Sequence, residues 1–301
     1  MPTTIYEVIW IFMIYAVIGW CSEVAYAALD TGRFVNRGFL NGPYCPIYGC
    51  GILLVIVTLT PLKENLLILY IGSVFLTSLI EFITGYILEK VFHNKWWDYS
   101  DKPYNIKGYI CLKFSLFWGF ACTFIVLILH PIIFGVLKLI PFVVGVVILS
   151  IILVVFVVDC GITVATILKF NERLKLMDEV AEKIHHISDE IGENIYENVT
   201  EALEKKDNFT EAHEEQILKI AEKKDEFTGN ITEKTQEVKL GMNVRKIELE
   251  NLKEQYKNLL EEKISGHNRL MKAFPKMTSV SNNETLQKLK KYMETMKKEK
   301  K

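Results

Sequence analysis

The feature that most constrains this chain is an abrupt change in composition near Lys169. Residues 1–169 contain five long apolar runs and only nineteen charged residues, whereas the 132 residues that follow are rich in charge. The apolar residues of this second part have helical spacing, but they form no run of membrane length. We therefore predict an all-α protein, with a helical membrane domain at residues 1–169 followed by a water-facing helical tail.

Five segments are long enough to cross a bilayer, since a helix needs about 20 apolar residues to span about 30 Å of hydrocarbon. They are predicted at residues 5–29, 44–62, 66–91, 109–129 and 142–168. The second is the weakest, because Pro46 lies near its start. The stretch His130–Pro141 is bracketed by two prolines, and we predict an interfacial turn of helix there rather than a sixth span.

Five crossings place the two chain termini on opposite sides of the membrane. Most basic residues of the connecting segments then fall on one side, and only Lys63 and Lys138 fall on the other. Because an excess of lysine and arginine marks cytoplasmic loops, we predict an N-terminus outside the cell and a cytoplasmic tail. Neither half of the chain is basic enough to predict nucleic acid as a partner.

Carboxylates within the apolar runs are the main candidates for function. Glu23 lies in the first span, Glu81 in the third and Asp159 in the fifth. A charged side chain at membrane depth costs about 2.5–3.5 kcal/mol, so such groups usually face a bundle interior, a watery cavity or a cationic partner. Arg37 is the nearest candidate partner of Glu23 along the sequence. Glu23 and Glu81 therefore line a functional cavity or form buried structural ion pairs.

Two loops on the predicted cytoplasmic side carry further candidates. The loop at residues 36–49 is dense in Gly and Pro, and irregular backbone at membrane depth is tolerated only where it is buried in protein or lines water. The second loop begins with Trp96 and Trp97, a pair typical of interfacial anchors. Asp98 and Tyr99 follow, and with Ser100 they either cap the next helix or contact a ligand.

Side chains from these segments are predicted to bound a cavity for a small solute or a lipid. The fourth span contributes two residues that lie three positions apart on one helix face. The predicted cavity residues are Glu23, Arg37, Glu81, Trp96, Trp97, Asp98, Tyr99, Ser115 and Trp118. The sequence pairs them with no nucleophile and no metal-ligand spacing, so we predict no catalytic residue, metal or cofactor. A membrane enzyme acting on lipid headgroups ranks last among the hypotheses.

Four short motifs in the first part of the chain resemble a known family. They are G-W-x-x-E at 19–23, N-R-G-F-L-N-G-P at 36–43, P-I-Y-G at 46–49 and W-W-D-Y-S at 96–100. In this order they are similar to the ABC-transporter type IV, or CmpB-like, bacterial permease family, and the resemblance covers about residues 5–165. It implies a permease-like membrane component of a bacterial plasma membrane.

The resemblance also bears on partners. The sequence contains no G-x-x-x-x-G-K-[ST] phosphate-binding loop, so a transporter of this kind requires a separate nucleotide-binding subunit, docked on the cytoplasmic loops or the tail. Membrane lipids surround the spans, and five spans favour a homo-oligomer that encloses a path. The alternative hypothesis is a membrane-anchored scaffold or sensor that acts through its cytoplasmic tail.

The tail has the apolar spacing of a coiled coil at its start. Spacings of three and four alternate between its apolar residues, Met177, Val180, Ile184, Ile187 and Ile191. A less regular series over residues 209–264 includes Ile217 and Ile220. We predict a helical coiled-coil region at 170–265, followed at 266–301 by a connector and a basic amphipathic helix. That last helix rests on anionic lipid headgroups or forms a solubilising end.

Overall fold

The structure is a computed structural model that describes residues 2–211, 224–262 and 266–299. The described residues are mostly helical, which confirms the predicted all-α class. Four helices are long and apolar enough to cross a membrane, and they match the first, third, fourth and fifth predicted spans. They are Ile5–Thr31, Leu66–Phe92, Leu112–Lys138 and Phe142–Glu197. Ile217 and Ile220, which were predicted to belong to the apolar series of the tail, lie outside the described residues.

The first and third of these helices begin at capping residues. α1 covers Ile5–Thr31, and the side chains of Thr4 and Glu7 form a capping box at its start. α3 covers Leu66–Phe92 and follows Asn65, whose side chain accepts a hydrogen bond from a backbone amide of the first turn. Such side chains pair with the amides that an α-helix leaves unbonded at its N-terminus.

The second predicted span forms a shorter helix. α2 covers Pro46–Leu59, which is 14 residues, and a 3-10 turn adds the 3 residues Thr60–Leu62. At a rise of 1.5 Å per residue the helix and the turn reach about 25 Å. The helix starts at Pro46 because proline has no amide hydrogen to place and its fixed backbone angle fits the first turn. Tyr44 and Cys45, which were predicted inside this span, precede the helix.

The fourth span corrects one prediction. The interfacial turn expected at His130–Pro141 belongs instead to a continuous helix, formed by α4 (Leu112–Phe124), a wider π-helical turn (Ile125–Leu129) and α5 (His130–Lys138). A proline inside a helix loses one backbone hydrogen bond and clashes with the carbonyl four residues earlier. The wider turn comes directly before Pro131 and relieves that clash.

Neighbouring helices among α1 to α4 run antiparallel and pack closely at glycines. Gly19 of α1 lies against the ring of Tyr48 in α2, and Gly119 of α4 lies against the side chain of Val74 in α3. A side chain at either glycine would collide with these neighbours. Small residues at such points allow helices in a membrane to approach each other.

α6, which covers Phe142–Glu211, runs parallel to α1 over its first turns. The Tyr6 and Phe142 rings lie 5.2 Å apart, and further along both helices the Phe12 and Phe156 rings lie 5.8 Å apart. The helix directions therefore alternate along the chain in the way that five consecutive crossings require.

Irregular chain gathers at one end of the helices, which we call the loop face and define as residues 32–45 and 93–111. Two short antiparallel strand pairs lie there. β1 (Asn94–Lys95) pairs with β4 (Thr278–Ser279), and β2 (Asn105–Ile106) pairs with β3 (Ile110–Cys111). The second pairing holds residues 110–111 in a hairpin, so the fourth span starts at Leu112 rather than at the predicted residue 109.

The described residues divide into two compact units. The first contains the chain up to Glu172 together with the C-terminal residues from Gly266 onward, and the second is Arg173–Glu262. In the C-terminal part of the first unit, α8 covers His267–Ala273 and α9 covers Asn283–Glu299.

The second unit contains two antiparallel helices, the later part of α6 and α7 (Lys224–Glu261). Arg173 donates hydrogen bonds to the carbonyl oxygens of Leu259 and Leu260. Arg245 lies 3.1 Å from Glu190. A later residue of α6 therefore contacts an earlier residue of α7, as in an antiparallel pair. Of the predicted apolar series, Met177, Val180 and Ile187 are buried.

Candidate functional site

Glu23 lies at the centre of a group of polar side chains at the loop face. The Tyr48 hydroxyl donates a hydrogen bond of 2.5 Å to Glu23 Oε1, and Arg37 Nε lies 3.4 Å from Oε2. The Arg37 guanidinium carbon also lies 5.4 Å from the centre of the Tyr26 ring. The structure thus brings the expected partner Arg37 to Glu23 and adds Tyr48, which the sequence did not single out.

Glu81 approaches this group from α3, together with Tyr99 from the loop face. The Tyr99 hydroxyl interacts with the Glu81 carboxylate. Burial raises the pKa of Tyr99 well above its usual value, and the charges of Glu81 and Glu23 add to the effect. Tyr99 therefore keeps its proton at neutral pH and serves as a hydrogen-bond donor.

One oxygen of Glu81 is exceptional. Oε2 is buried, and it has no hydrogen-bond partner within the part of the chain that the structure describes. Most buried polar atoms are paired, because an unpaired one forfeits the hydrogen bond it made with water. This oxygen is therefore the acceptor in the group that is most available to a proton or a donor ligand.

α4 forms one wall of the group. The Trp118 ring packs edge-on against the Tyr48 ring, with 5.3 Å between their centroids. The Ser115 hydroxyl accepts a hydrogen bond of 2.8 Å from Ser78, which lies three residues before Glu81 in α3. Ser115 and Trp118 therefore face the neighbouring helices α3 and α2.

The two tryptophans of W-W-D-Y-S have different partners. Trp97 Nε1 donates a hydrogen bond of 2.9 Å to the Tyr109 carbonyl oxygen. Trp96 is only 4% exposed, and its ring packs edge-on against Phe39 and Phe274, with centroid distances of 5.1 and 5.0 Å. Trp96 is thus buried in protein rather than placed as an interfacial anchor.

Asp98 holds a turn of its own loop. Its Oδ1 accepts hydrogen bonds from the Ser100 amide at 3.0 Å and the Ser100 hydroxyl at 2.6 Å, and Lys95 Nζ lies 3.7 Å away. Burial raises the pKa of Asp98, but the Ser100 hydrogen bonds and the Lys95 charge outweigh it, and the net effect is a lowered pKa. These contacts are those of a turn cap.

The loop at 36–43 is fixed by long-range hydrogen bonds. Trp20 Nε1 donates to Asn36 Oδ1 at 2.7 Å. The backbone amides of Asn41 and Gly42 donate to the two oxygens of Asp159 at 3.2 and 2.7 Å, and Asn41 Nδ2 adds a bond of 2.9 Å. Asp159 was noted in the sequence as a carboxylate in an apolar run, but its partners lie almost 120 residues earlier.

A shallow depression also opens at the loop face. Its volume is about 440 Å³, and it is lined by Asp98, Ser100, Asp101, Pro275, Lys276, Met277 and Gln287. Lys276 Nζ lies 3.5 Å from Asp101 across it. Glu23 and Glu81 do not line this depression, so it is distinct from their group.

The chemistry available to the Glu23–Glu81 group is acceptance and donation of hydrogen bonds. Two carboxylates and two tyrosine hydroxyls converge from different elements, beside one guanidinium. Within residues 2–211, 224–262 and 266–299, no group of three or more His, Cys, Asp or Glu side chains is arranged to hold a metal ion. The arrangement suits binding of a polar solute or a proton.

Comparison with known proteins gives one match. The sequence model of a family described as "Putative ABC-transporter type IV" matches residues 10–164, which is just over half of the chain. Searches of the curated proteins and of the solved structures found no match. The matched region contains all nine predicted cavity residues.

Proposed function

The chain belongs to the ABC-transporter type IV family, and on that premise we propose that it is the permease-like membrane component of an ABC-type transporter. It moves a small solute or a lipid along a path that includes the Glu23–Glu81 group. The nucleotide-binding activity comes from a separate subunit.

The observation that carries this proposal is the convergence of polar groups inside an apolar bundle. Glu23, Tyr48 and Glu81 lie in three different apolar helices, and the carboxylates approach one another at the loop face. Each carboxylate costs about 2.5–3.5 kcal/mol at membrane depth. A bundle that served only as an anchor would gain nothing from this arrangement, whereas a path for a polar solute uses it.

Charge distribution supports the proposed orientation. The loop face contains Arg33, Arg37, Lys95, Lys102 and Lys107, whereas the opposite ends of the helices contribute Lys63 and Lys138. Lysine and arginine are enriched in cytoplasmic loops. The loop face and the tail therefore lie on the cytoplasmic side of a bacterial plasma membrane, and the N-terminus lies on the outer side.

This orientation also indicates where partners bind. The nucleotide-binding subunit docks on the loop face or on the tail, and lipids surround the exposed apolar faces of the helices. Two or more copies of the chain associate through the spans or the tail to enclose a path.

The test is mild extraction of the tagged protein from the cells that express it, followed by mass spectrometry and an ATPase assay. We expect an ATPase subunit at a fixed stoichiometry. Vesicles with the purified complex in their membrane, placed in a mixed metabolite extract, should take up a solute only when ATP is present. Purification of the intact protein without any ATPase subunit would contradict the proposal.

The second unit supports one alternative, a membrane-anchored scaffold or sensor. Its antiparallel helices, joined by the Arg173–Leu259 and Arg245–Glu190 contacts, present a long charged surface that suits a coiled-coil partner. Since the Phe170 and His267 rings lie 5.0 Å apart, a short Gly/Ser linker can replace Arg173–Glu262. We would compare cells that express this variant with cells in which the gene is deleted. If the variant has the same growth defect as the deletion but normal ATP-dependent uptake, the scaffold is favoured.

A further inference from the structure

The C-terminal residues 266–299, which we call the docked segment, bind the loop at 36–43. Arg269 Nη1 donates hydrogen bonds to the carbonyl oxygens of Gly38 and Leu40, both at 2.9 Å, and Nη2 donates to Phe39 at 3.0 Å. One guanidinium therefore binds three consecutive carbonyls. The planar fork of arginine can do this, whereas the ammonium of lysine is a single point charge.

Other contacts already hold the docked segment in place. Leu270 and Leu286 are fully buried, and the Phe274 ring packs against Trp96. The Val280 amide donates to the His93 carbonyl beside the β1–β4 pairing. Apolar burial and backbone pairing thus attach the segment without Arg269. Burying a guanidinium against neutral carbonyls costs desolvation free energy, so attachment alone does not explain this residue.

The opposite side of the same loop is held by an acid. Asp159 accepts hydrogen bonds from the amides of Asn41 and Gly42. Arg269 donates hydrogen bonds to the carbonyl oxygens of residues 38–40, which come just before them. Burial lowers the pKa of Arg269, and the negative charge of Asp159 opposes that effect. The loop backbone is fixed between one acidic and one basic side chain.

Arg37 directly precedes the three residues, Gly38–Leu40, whose carbonyls bind Arg269. The carbonyl oxygen of its neighbour Gly38 accepts a hydrogen bond from Arg269, and the Arg37 side chain pairs with Glu23. We propose that Arg269 is a positioning residue, which holds Arg37 against Glu23 by fixing the backbone of Gly38–Leu40. The docked segment thereby controls the candidate site. The transport consequence rests on the proposed function, whereas the geometric claim does not.

A native cysteine reports on the loop. Cys45 lies two residues after the loop, directly before α2, and is only 5% exposed. Its backbone amide donates a hydrogen bond to the Ala16 carbonyl. Cys122 is buried in the helix core, so it reports on the fold as a whole. The full-length protein is alkylated with N-ethylmaleimide over time and then digested, and mass spectrometry of the peptides reads Cys45 and Cys122 separately from the exposed Cys21 and Cys50. This separates loop opening from unfolding.

In Arg269→Ala we expect Cys45 to react about tenfold faster than in the unmodified protein, because local opening exposes the thiol in proportion to the open population. Cys122 should stay protected. Arg269→Lys should give an intermediate rate, and Lys272→Ala, which removes an exposed charge from the same helix, should give no change. Unchanged Cys45 protection in Arg269→Ala would overturn the inference, as would equal exposure of Cys45 and Cys122 in both Arg269 variants.

Uptake separates positioning from general stability. If Arg269 acts through Arg37, the double variant Arg37→Ala/Arg269→Ala should lose no more ATP-dependent uptake than Arg37→Ala alone. Additive losses would mean that Arg269 acts independently of Arg37 and would contradict the inference. If the unmodified complex takes up nothing, the proposed function fails, and the Cys45 measurement still decides whether Arg269 holds the loop.

Discussion

Two carboxylates in the apolar helices are used in opposite ways. Asp159 of α6 accepts three hydrogen bonds, two of them from the backbone amides of Asn41 and Gly42. Glu81 of α3 meets the Tyr99 hydroxyl, but its Oε2 is buried without a hydrogen-bond partner among the described residues. The two side chains look alike in the sequence, since each is an acid within a long apolar run.

The difference separates a structural acid from a candidate functional one. Both oxygens of Asp159 accept hydrogen bonds from the loop, three in all, so this acid holds the loop in place. A buried acceptor with a vacant oxygen is unfavourable for folding alone, and polar groups of this kind concentrate at functional sites. The region around Asp159 therefore builds the loop, and we propose that a solute or a proton binds in the region around Glu81 and Glu23.

The largest loss of stability is expected from Asp159→Ala. The change leaves the partly buried Asn41 and Gly42 amides without this acceptor. Each hydrogen bond to a charged group is worth about 1.5–3 kcal/mol, so we expect a loss of roughly 3 kcal/mol or more in the free energy of unfolding. Size-exclusion chromatography after heating the detergent-solubilised protein should show this loss as a fall in the temperature at which the folded peak disappears.

The matched control is Asp30→Ala, which removes an exposed acid near the end of α1. It should elute like the unmodified protein after the same heating. Equal heat stability of Asp159→Ala and Asp30→Ala would show that the Asp159 hydrogen bonds contribute little, and the contrast between the two regions would be lost.

A smaller effect on stability is expected from Tyr48→Phe. The change removes only the hydroxyl that donates to Glu23 Oε1, so the free energy of unfolding should fall by about 1.5 kcal/mol, as for a single hydrogen bond to a carboxylate. ATP-dependent uptake should fall roughly tenfold, because a hydrogen bond at the site of about 1.4 kcal/mol corresponds to that factor. Tyr70→Phe is the control, since its hydroxyl makes only a long contact of 3.4 Å with the Leu116 carbonyl. Equal uptake in the two variants would remove Tyr48 from the site.

The smallest effect is expected from acid titration of the loop that Asp98 caps. A pKa that is lowered in the folded protein means that the charged form is favoured there, so this stabilisation is present above the usual aspartate pKa. It is lost as the pH falls through the lowered value. The protection factors of the amides in residues 98–108, which are exchange rates corrected for their intrinsic dependence on pH, should therefore fall on acidification more in the unmodified protein than in Asp98→Asn.

At neutral pH the two proteins should differ by no more than about 0.5 kcal/mol, as expected for a change near the surface. Asp30→Asn serves as the control, because Asp30 is an exposed acid that lies outside this loop. An identical acid response in Asp98→Asn and the unmodified protein would show that Asp98 does not govern the turn.

Long apolar runs made most of the helices predictable. Four predicted spans match helices in the structure within a few residues at most ends. The fourth was cut short in the prediction because Pro131 normally ends a helix, and a π-helical turn is a backbone adjustment without a periodic signal in the sequence. The Glu23–Arg37 pair was also foreseeable, since only 13 residues separate the two.

The contacts that assemble the loop face were beyond the reach of sequence spacing. Tyr48 lies in the P-I-Y-G motif, but its role depends on how closely α2 packs against Gly19. The Asp159 and Arg269 contacts join residues that are more than 100 positions apart. Local periodicity cannot encode such pairings, because they are set by the packing of whole helices.

The most direct test of the central claim is ATP-dependent uptake by the purified complex that carries Glu81→Gln, compared with Glu64→Gln. Glu64 is an exposed acid at the opposite end of α3, so its change removes a charge without touching the candidate site. We predict that Glu81→Gln elutes as a folded complex and loses uptake by at least about tenfold, while Glu64→Gln keeps it, because a loss of about 1.4 kcal/mol already gives that factor. Normal uptake in a folded Glu81→Gln complex would contradict the claim that the unpartnered carboxylate marks the transport path.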